Sequence, residues 1–411
     1  MPVTSPYHSL PLNPKPNSES PPRDAFQRAF NTSLEEALDL DQWTKGADLS
    51  SLYPALQRSV SESVAQERRI RDPIRQQVFA TISPKINPAL PRCAGVYKLT
   101  VEQIETVHHG LLFNGGVEAC DGTVVAHSAL ALSVYQIAMA LVRYKGESGT
   151  WVKQLYRRDL HITHPDPVEE AREILRRRGQ SEGGQSDESR DSLTRIVRRA
   201  LMDWGERAVL TRASTALWRM GHGNPVPFSL LAATTETLTK DSVAVLRELI
   251  LQQKRFVFVG SEPSDQLLLT LGNALHPLEY AITGTLKDHQ LSDAALDRLA
   301  ANRRGNVPLT KAMQDCAREI RSEVVIGTYR ASLYAPARVF YAHKDFAHGA
   351  AAIAIADSVL QSHRGFPMLI DLADLICGNT FDASSFGGMV QHAYAASGEP
   401  LRYLGERETR A

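Results

Sequence analysis

Between residues 116 and 159 the chain carries three strand-like segments in succession, joined by short connections. Residues 116–123 are a small, mostly apolar run that ends in Asp121 and Gly122. Residues 136–144 alternate bulky and small side chains through Ile137, Met139 and Leu141, as a half-buried strand does. A Lys-Gly-Glu-Ser-Gly turn follows at 145–149, and 151–159 resumes the alternation through Val152, Leu155 and Tyr156. Such a series implies an antiparallel meander. The rest of the molecule has to be arranged around that sheet.

Before the meander the pattern is helical. Residues 1–22 are rich in Pro, Ser and Asn and read as a disordered tail. Residues 23–90 read as a helical N-terminal region. Leu34, Ala37 and Leu38 recur at helical spacing, as do Leu56, Val60 and Val64, until the prolines at 84–91 break the pattern. Residues 91–411 hold the meander and then alternate: helices are expected at 167–178, 193–220, 241–253, 350–361 and 368–376, strands at 256–259 and 338–341, and a flexible linker at 179–187. The expected fold class is α/β, a mixed sheet flanked by helices, with a helical N-terminal extension.

Charge and cysteine usage narrow the function classes. The 46 Lys and Arg balance the 46 Asp and Glu, which excludes a uniformly basic nucleic-acid coat but leaves room for a local basic face. The four cysteines lack CxxC spacing, so neither a disulfide framework nor a cysteine zinc site is expected. The start has no basic segment leading into an apolar one, and no apolar run reaches about 18 residues, so neither a signal peptide nor a membrane span is expected. The expected location is cytoplasmic. A P-loop GxxxxGK[ST], a complete dinucleotide fingerprint and a GxSxG elbow are all missing.

Asp121 is the first candidate for chemistry. A carboxylate at a strand end, followed by a glycine that lets another group approach, suits a hard cation such as Mg²⁺ or Mn²⁺. The same dipeptide also makes an ordinary Asp-Gly turn. At 343–348, His348 or Asp345 could ligate a metal, or Asp345 could simply start the next helix. His161 and His164 are spaced like a metal pair, but Pro165 removes the helix that would align them, and His108 and His109 read as loop. Arg157, Arg158, Arg195, Arg198 and Arg199 could hold phosphates without reading sequence, or pair with Glu169, Glu170, Glu173 and Asp191.

A meander that opens on a strand-end aspartate is also how the ribonuclease-H-like sheet begins. Residues 118–123 (Glu-Ala-Cys-Asp-Gly-Thr) resemble the "A-V-D-G-S" strand of the NurA nucleases. Residues 365–374 (Gly-Phe-Pro-Met-Leu-Ile-Asp-Leu-Ala-Asp) resemble their terminal "G-Y-P-x-x-L-x-x-A-H/D" helix start, in the same chain order. The similarity spans roughly residues 110–405.

The resemblance implies a ribonuclease-H-like core and a DNA nuclease using two Mn²⁺ or Mg²⁺ ions. It further implies a homodimer docked on a hexameric HerA-type ATPase, serving DNA repair or antiviral defence. By this likeness Asp121 is the first metal-binding acid, Glu206 the helical glutamate and Asp374 the terminal His or Asp, with Asp371 a further candidate and Phe366 the motif's aromatic residue. The family's strand-end "D-G" acid has no counterpart. Residues 221–225 (Gly-His-Gly-Asn-Pro) put His222 there, so Glu236 or Asp241 would have to serve. Failing that, the implied alternative is a catalytically weakened subunit with a structural or DNA-clamping role.

Overall fold

The computed structural model describes residues 25–128, 132–146, 149–158, 166, 168–169, 172, 196–231, 236–260, 266–301 and 311–398. The chain divides into two compact units, one up to Arg68 and one from Arg69. The described part of the first is helical, with short helices Ala25–Phe30 and Leu34–Leu38 and the opening turns of the helix Tyr53–Pro73. Ser33 starts the second of these with a capping box, accepting from the Glu36 N–H while Glu36 reaches back to the Ser33 N–H.

The second unit is built on one nine-stranded mixed sheet: β1 (Gly95–Lys98), β2 (Val117–Ser128), β3 (Ser133–Val142), β4 (Gly149–Arg157), β5 (Trp218–His222), β6 (Phe256–Gly260), β7 (Glu279–Thr285), β8 (Val324–Arg330) and β9 (Arg338–His343). Their order is β1-β7-β8-β9-β6-β5-β2-β3-β4. The meander is present as β2–β3–β4, in the register Asp121 opposite Ala140 and Tyr135 opposite Leu155. β5 runs parallel to β2 and β6 parallel to β5, whereas β9, β8, β7 and β1 continue antiparallel.

Side chains alternate between two cores, as the period of a strand requires. Phe256 and Phe258 join one, with Cys120 and Met139; Val257 and Val259 join the other, with Ala119 and Met220. Helix α1 (Leu201–Arg212) lies on the first face, and helices α2 (Ala347–Val359) and α3 (Met368–Thr380) lie on the second. A last helix, α4 (Ala383–Ala396), packs Phe386 and Val390 against Val134. Among the described residues no helix is long and apolar enough to cross a membrane. All four cysteines are free thiols.

Several sequence expectations need correction. β2 does not end at Asp121 but runs on to Ser128, because β3 pairs with it throughout, so the aspartate sits inside a strand. The helix expected over 193–220 stops at Arg212 and is followed by β5. Residues 108–112, read as loop, continue a helix as one wide turn, and the His108 ring bonds the Ala356 carbonyl at 2.7 Å. Strands β1, β7 and β8 were not expected; β7 and β8 are covered on both faces and so lack the alternation that betrays a half-buried strand. Residues 179–187, His161, His164 and most of 167–178 lie outside the described residues.

Candidate metal centre

The site begins where two neighbouring strands have different lengths. β5 stops at His222, where Gly223 takes a positive φ of 76° and turns the chain away. β2 continues for several residues beyond that level. The parallel register, Cys120 beside Gly221, then leaves Asp121 next to His222 at the carboxyl end of β5. The His222 Nδ1 lies 3.6 Å from the Asp121 Oδ2, and the Asp121 Oδ1 accepts the Gly122 N–H at 2.9 Å. Asp121 is only 6% exposed. Its carboxylate holds a proton on the His222 imidazole, raising that pKa against the opposing effect of burial.

Glu206 approaches the Asp121–Gly122 segment from the opposite face of the sheet. Its helix comes in close because two contact positions carry no side chain: a Cβ on Gly205 would fall 2.1 Å from the Met139 Cε, and one on Gly122 would fall 3.0 Å from the Glu206 Oε1. The glutamate therefore lies over the glycine that follows Asp121. Burial pushes its carboxyl upward and the neighbouring Arg207 offsets this only in part, while the negative charges of Asp121 and Asp203 add to the rise. The Arg207 Nη1 donates to the Glu206 Oε2 at 2.7 Å. The same guanidinium bonds the Asp203, Asn224 and Pro225 carbonyls and sits over the Phe258 ring, so it ties α1 to the segment after β5.

Asp374 comes from α3, which crosses β2 and β3 on the Asp121 face. Ala373 and Cys377 of this helix are buried, with Cys377 packed against Ala138 and Ala140, while Asp374 is exposed at the rim. Partial burial raises its carboxyl, followed by the negative charge of Asp121. Burial likewise pushes the Cys377 thiol up to about 12, with Asp121 adding to it, so it stays protonated. Phe366, just before the helix, meets the His222 ring edge-on at 5.6 Å.

The position of α3 is fixed by a side chain that the sequence did not single out. Pro367 offers no side-chain cap at the helix start, and Asp357 of α2, fully buried, accepts the Leu369 N–H at 2.9 Å instead. The Tyr144 hydroxyl donates to the other oxygen of Asp357 at 2.5 Å. Burial pushes Asp357 up to about 6 despite both bonds.

The remaining sequence candidates fall elsewhere. Asp371 shares the helix of Asp374, but its carboxylate takes bonds from Gln361 and Arg364. Glu236 opens the helix Glu236–Arg247 as an exposed residue, and Asp241 lies on that same helix. His348, expected as a possible metal ligand, lies in an aromatic cluster where α2 starts: its Nδ1 is 3.0 Å from the Tyr280 hydroxyl and its ring sits edge-on to Tyr97. Asp345 pairs with Lys254 at 3.6 Å and its N–H donates to His343. Arg157 and Arg158 lie at the far end of β4, Arg198 stacks over Tyr135 at 5.8 Å, and Arg199 is exposed beside it; Arg195 is outside the described residues.

As the side chains stand, no group of three or more His, Cys, Asp or Glu among the described residues closes into a cage ready for a metal. The donor chemistry nevertheless fits a hard divalent cation. Asp121, Glu206 and Asp374 offer carboxylate oxygens, and one imidazole beside them is a ligand that Mn²⁺ accepts. The Glu206 and Asp374 carboxyls, raised by desolvation and by the charge of Asp121, are groups that a cation would discharge.

No protein-family model matches the chain, and no curated protein matches it. Among solved structures, the NurA nuclease from Sulfolobus solfataricus is similar at 11% identity and a TM-score of 0.39, over 84% of this chain and 98% of that one. A NurA bound to dAMP and manganese is similar at 10% identity and a TM-score of 0.36, over 78% and 92%. The Ciona intestinalis endonuclease V in complex with a DNA 24-mer is similar at 12% identity and a TM-score of 0.25, over 68% and 95%. Likenesses at this level do not carry residue roles from one chain to another.

Proposed function

We propose that the chain is a divalent-metal-dependent DNA nuclease of the NurA kind, hydrolysing phosphodiesters at the Asp121 centre. The observation that carries this reading is the convergence of Asp121, Glu206 and His222, with Asp374 at the rim, where β5 ends beside the longer β2. These groups come from a strand interior, a strand end and two helices on opposite faces. A core built as β4-β3-β2-β5-β6, an antiparallel meander followed by two parallel strands, supports the ribonuclease-H-like description.

A divalent ion bound here would polarise the phosphodiester and lower the pKa of an attacking water. The chain's own residues do the rest. Asp121, fixed by the Gly122 N–H, is the rigid donor at the centre. Arg207 holds Glu206 in one orientation. His222, whose proton affinity the adjacent Asp121 raises, is placed to pass a proton to a leaving oxygen. Arg157, Arg158 and Arg198, at the far end of the meander, supply phosphate contacts.

The partners implied by the resemblance, a second copy of the chain and a HerA-type hexameric ATPase, complete this reading, as does a cytoplasmic role in DNA repair or antiviral defence. The neutral balance of 46 and 46 charges leaves no overall field to retain DNA, so delivery by a translocating partner is favoured. Asp121→Ala is expected to abolish Mn²⁺-dependent cleavage of linear duplex DNA while far-UV circular dichroism stays unchanged. Cleavage at the parental rate would overturn the assignment.

The alternative, a weakened clamping subunit, is favoured by two features: Arg207 occupies one Glu206 oxygen, and a histidine stands where the family has an acid. Cleavage assays with and without the ATPase separate the readings, since inactivity in both supports the clamping role.

A further inference from the structure

We propose that this centre takes a single divalent cation per chain, with Arg207 and His222 standing where a second ion's charge and ligand would be. The inference rests on the reading of Asp121 as a metal ligand and concerns how many ions its surroundings can hold. Two ions about 3.5–4 Å apart need a carboxylate with both oxygens open to bridge them, and further acids on either side. Here Asp121 has one oxygen on the Gly122 N–H and the other facing the His222 Nδ1 at 3.6 Å. The side that would take the second ion is lined by an imidazole.

Glu206 is restricted in the same way. Its Oε2 is bound to the Arg207 Nη1 at 2.7 Å, which leaves the Oε1, lying over Gly122, as the oxygen that faces the centre. Arg207 is not free to swing away. Its side chain is 2% exposed and also donates to the Asn224 carbonyl at 2.6 Å and the Asp203 carbonyl at 3.1 Å, with Phe258 beneath its plane. Moving it would leave buried carbonyls and a buried carboxylate without partners.

Charge balance gives the same count. Asp121, Asp203, Glu206 and Asp374 carry four negative charges when ionised, against one positive charge on the permanently charged Arg207 and one on His222 when it is protonated. One divalent cation brings the cluster to neutrality. Two would leave an uncompensated double positive charge among largely buried groups, a costly arrangement. The His222 imidazole and the buried arginine thus act together on the ion count.

The test is metal stoichiometry in the full-length protein, read by calorimetric titration with MnCl₂ and by the electron paramagnetic resonance spectrum of the bound ion. The expected result is one Mn²⁺ per chain with the spectrum of an isolated ion, and a second Mn²⁺ with an exchange-coupled spectrum in His222→Asp. Two coupled ions per chain in the parent would overturn the proposal, whatever the variant does. A variant that stays at one ion would overturn the place given to His222. Binding of none by the parent would remove the metal reading itself, an outcome distinct from a wrong count.

Discussion

At the scale of single residues, Asp357 and Arg207 are the two buried charges on which the centre leans. Asp357 titrates near 6 because it is desolvated, above the ordinary aspartate value of about 3.9. A raised acid contributes stability that is fully present below its unfolded pKa and is lost as pH rises through its folded pKa. The loss is about 2 kcal/mol between pH 4 and pH 7. Asn at this position cannot ionise but can still accept the Leu369 N–H. Urea unfolding of Asp357→Asn is therefore expected to gain on the parent by about that amount across the interval, and a pH-independent difference would contradict it. Arg207→Met strands the Glu206 carboxylate and is expected to cost about 3–5 kcal/mol of unfolding free energy, less at low pH where Glu206 takes up a proton. Asp121 was legible because a glycine follows it, and Asp374 through its motif. Nothing distinguishes Arg207 in sequence from the solvated arginines, since its role depends on carbonyls that only folding brings to it.

At the scale of elements, the centre is set by how closely β5 and β6 stack their contents. Gly221 lies beside Phe258, and a Cβ there would fall 2.3 Å from the ring, which is buried and has no slack. Gly221→Ala is expected to destabilise the protein by about 1–3 kcal/mol through overpacking. It should also displace Arg207, which rests on that ring, so Mn²⁺ affinity falls along with the thermal midpoint. Unchanged affinity in a destabilised variant would show that the ring and the centre are uncoupled. The meander was readable because β3 alternates large and small residues and its neighbours are linked by short connections. The boundary between α1 and β5 was not. Residues 213–222 show no break in helical periodicity strong enough to signal that the chain leaves α1 and enters the sheet as a strand parallel to β2.

At the scale of the whole molecule, five strands of the sheet carry the centre and four extend it away from the meander. Those four include β1, a strand of four residues paired to β7, and the two covered strands β7 and β8, none of which has a period that a single sequence exposes. The unequal lengths of β2 and β5 have a consequence for polymers. From Asp121 to Ser128, where β3 and β4 bring Arg157 level, the meander projects about 23 Å at 3.3 Å per residue. On the proposed nuclease reading that overhang would act as a ruler, setting the arginines against a duplex about seven base pairs ahead of the bond to be cut. Cleavage measured on a ladder of short duplexes is expected to collapse once the substrate is too short to reach from the centre to the end of the ledge, and Arg157→Ala should erase that threshold.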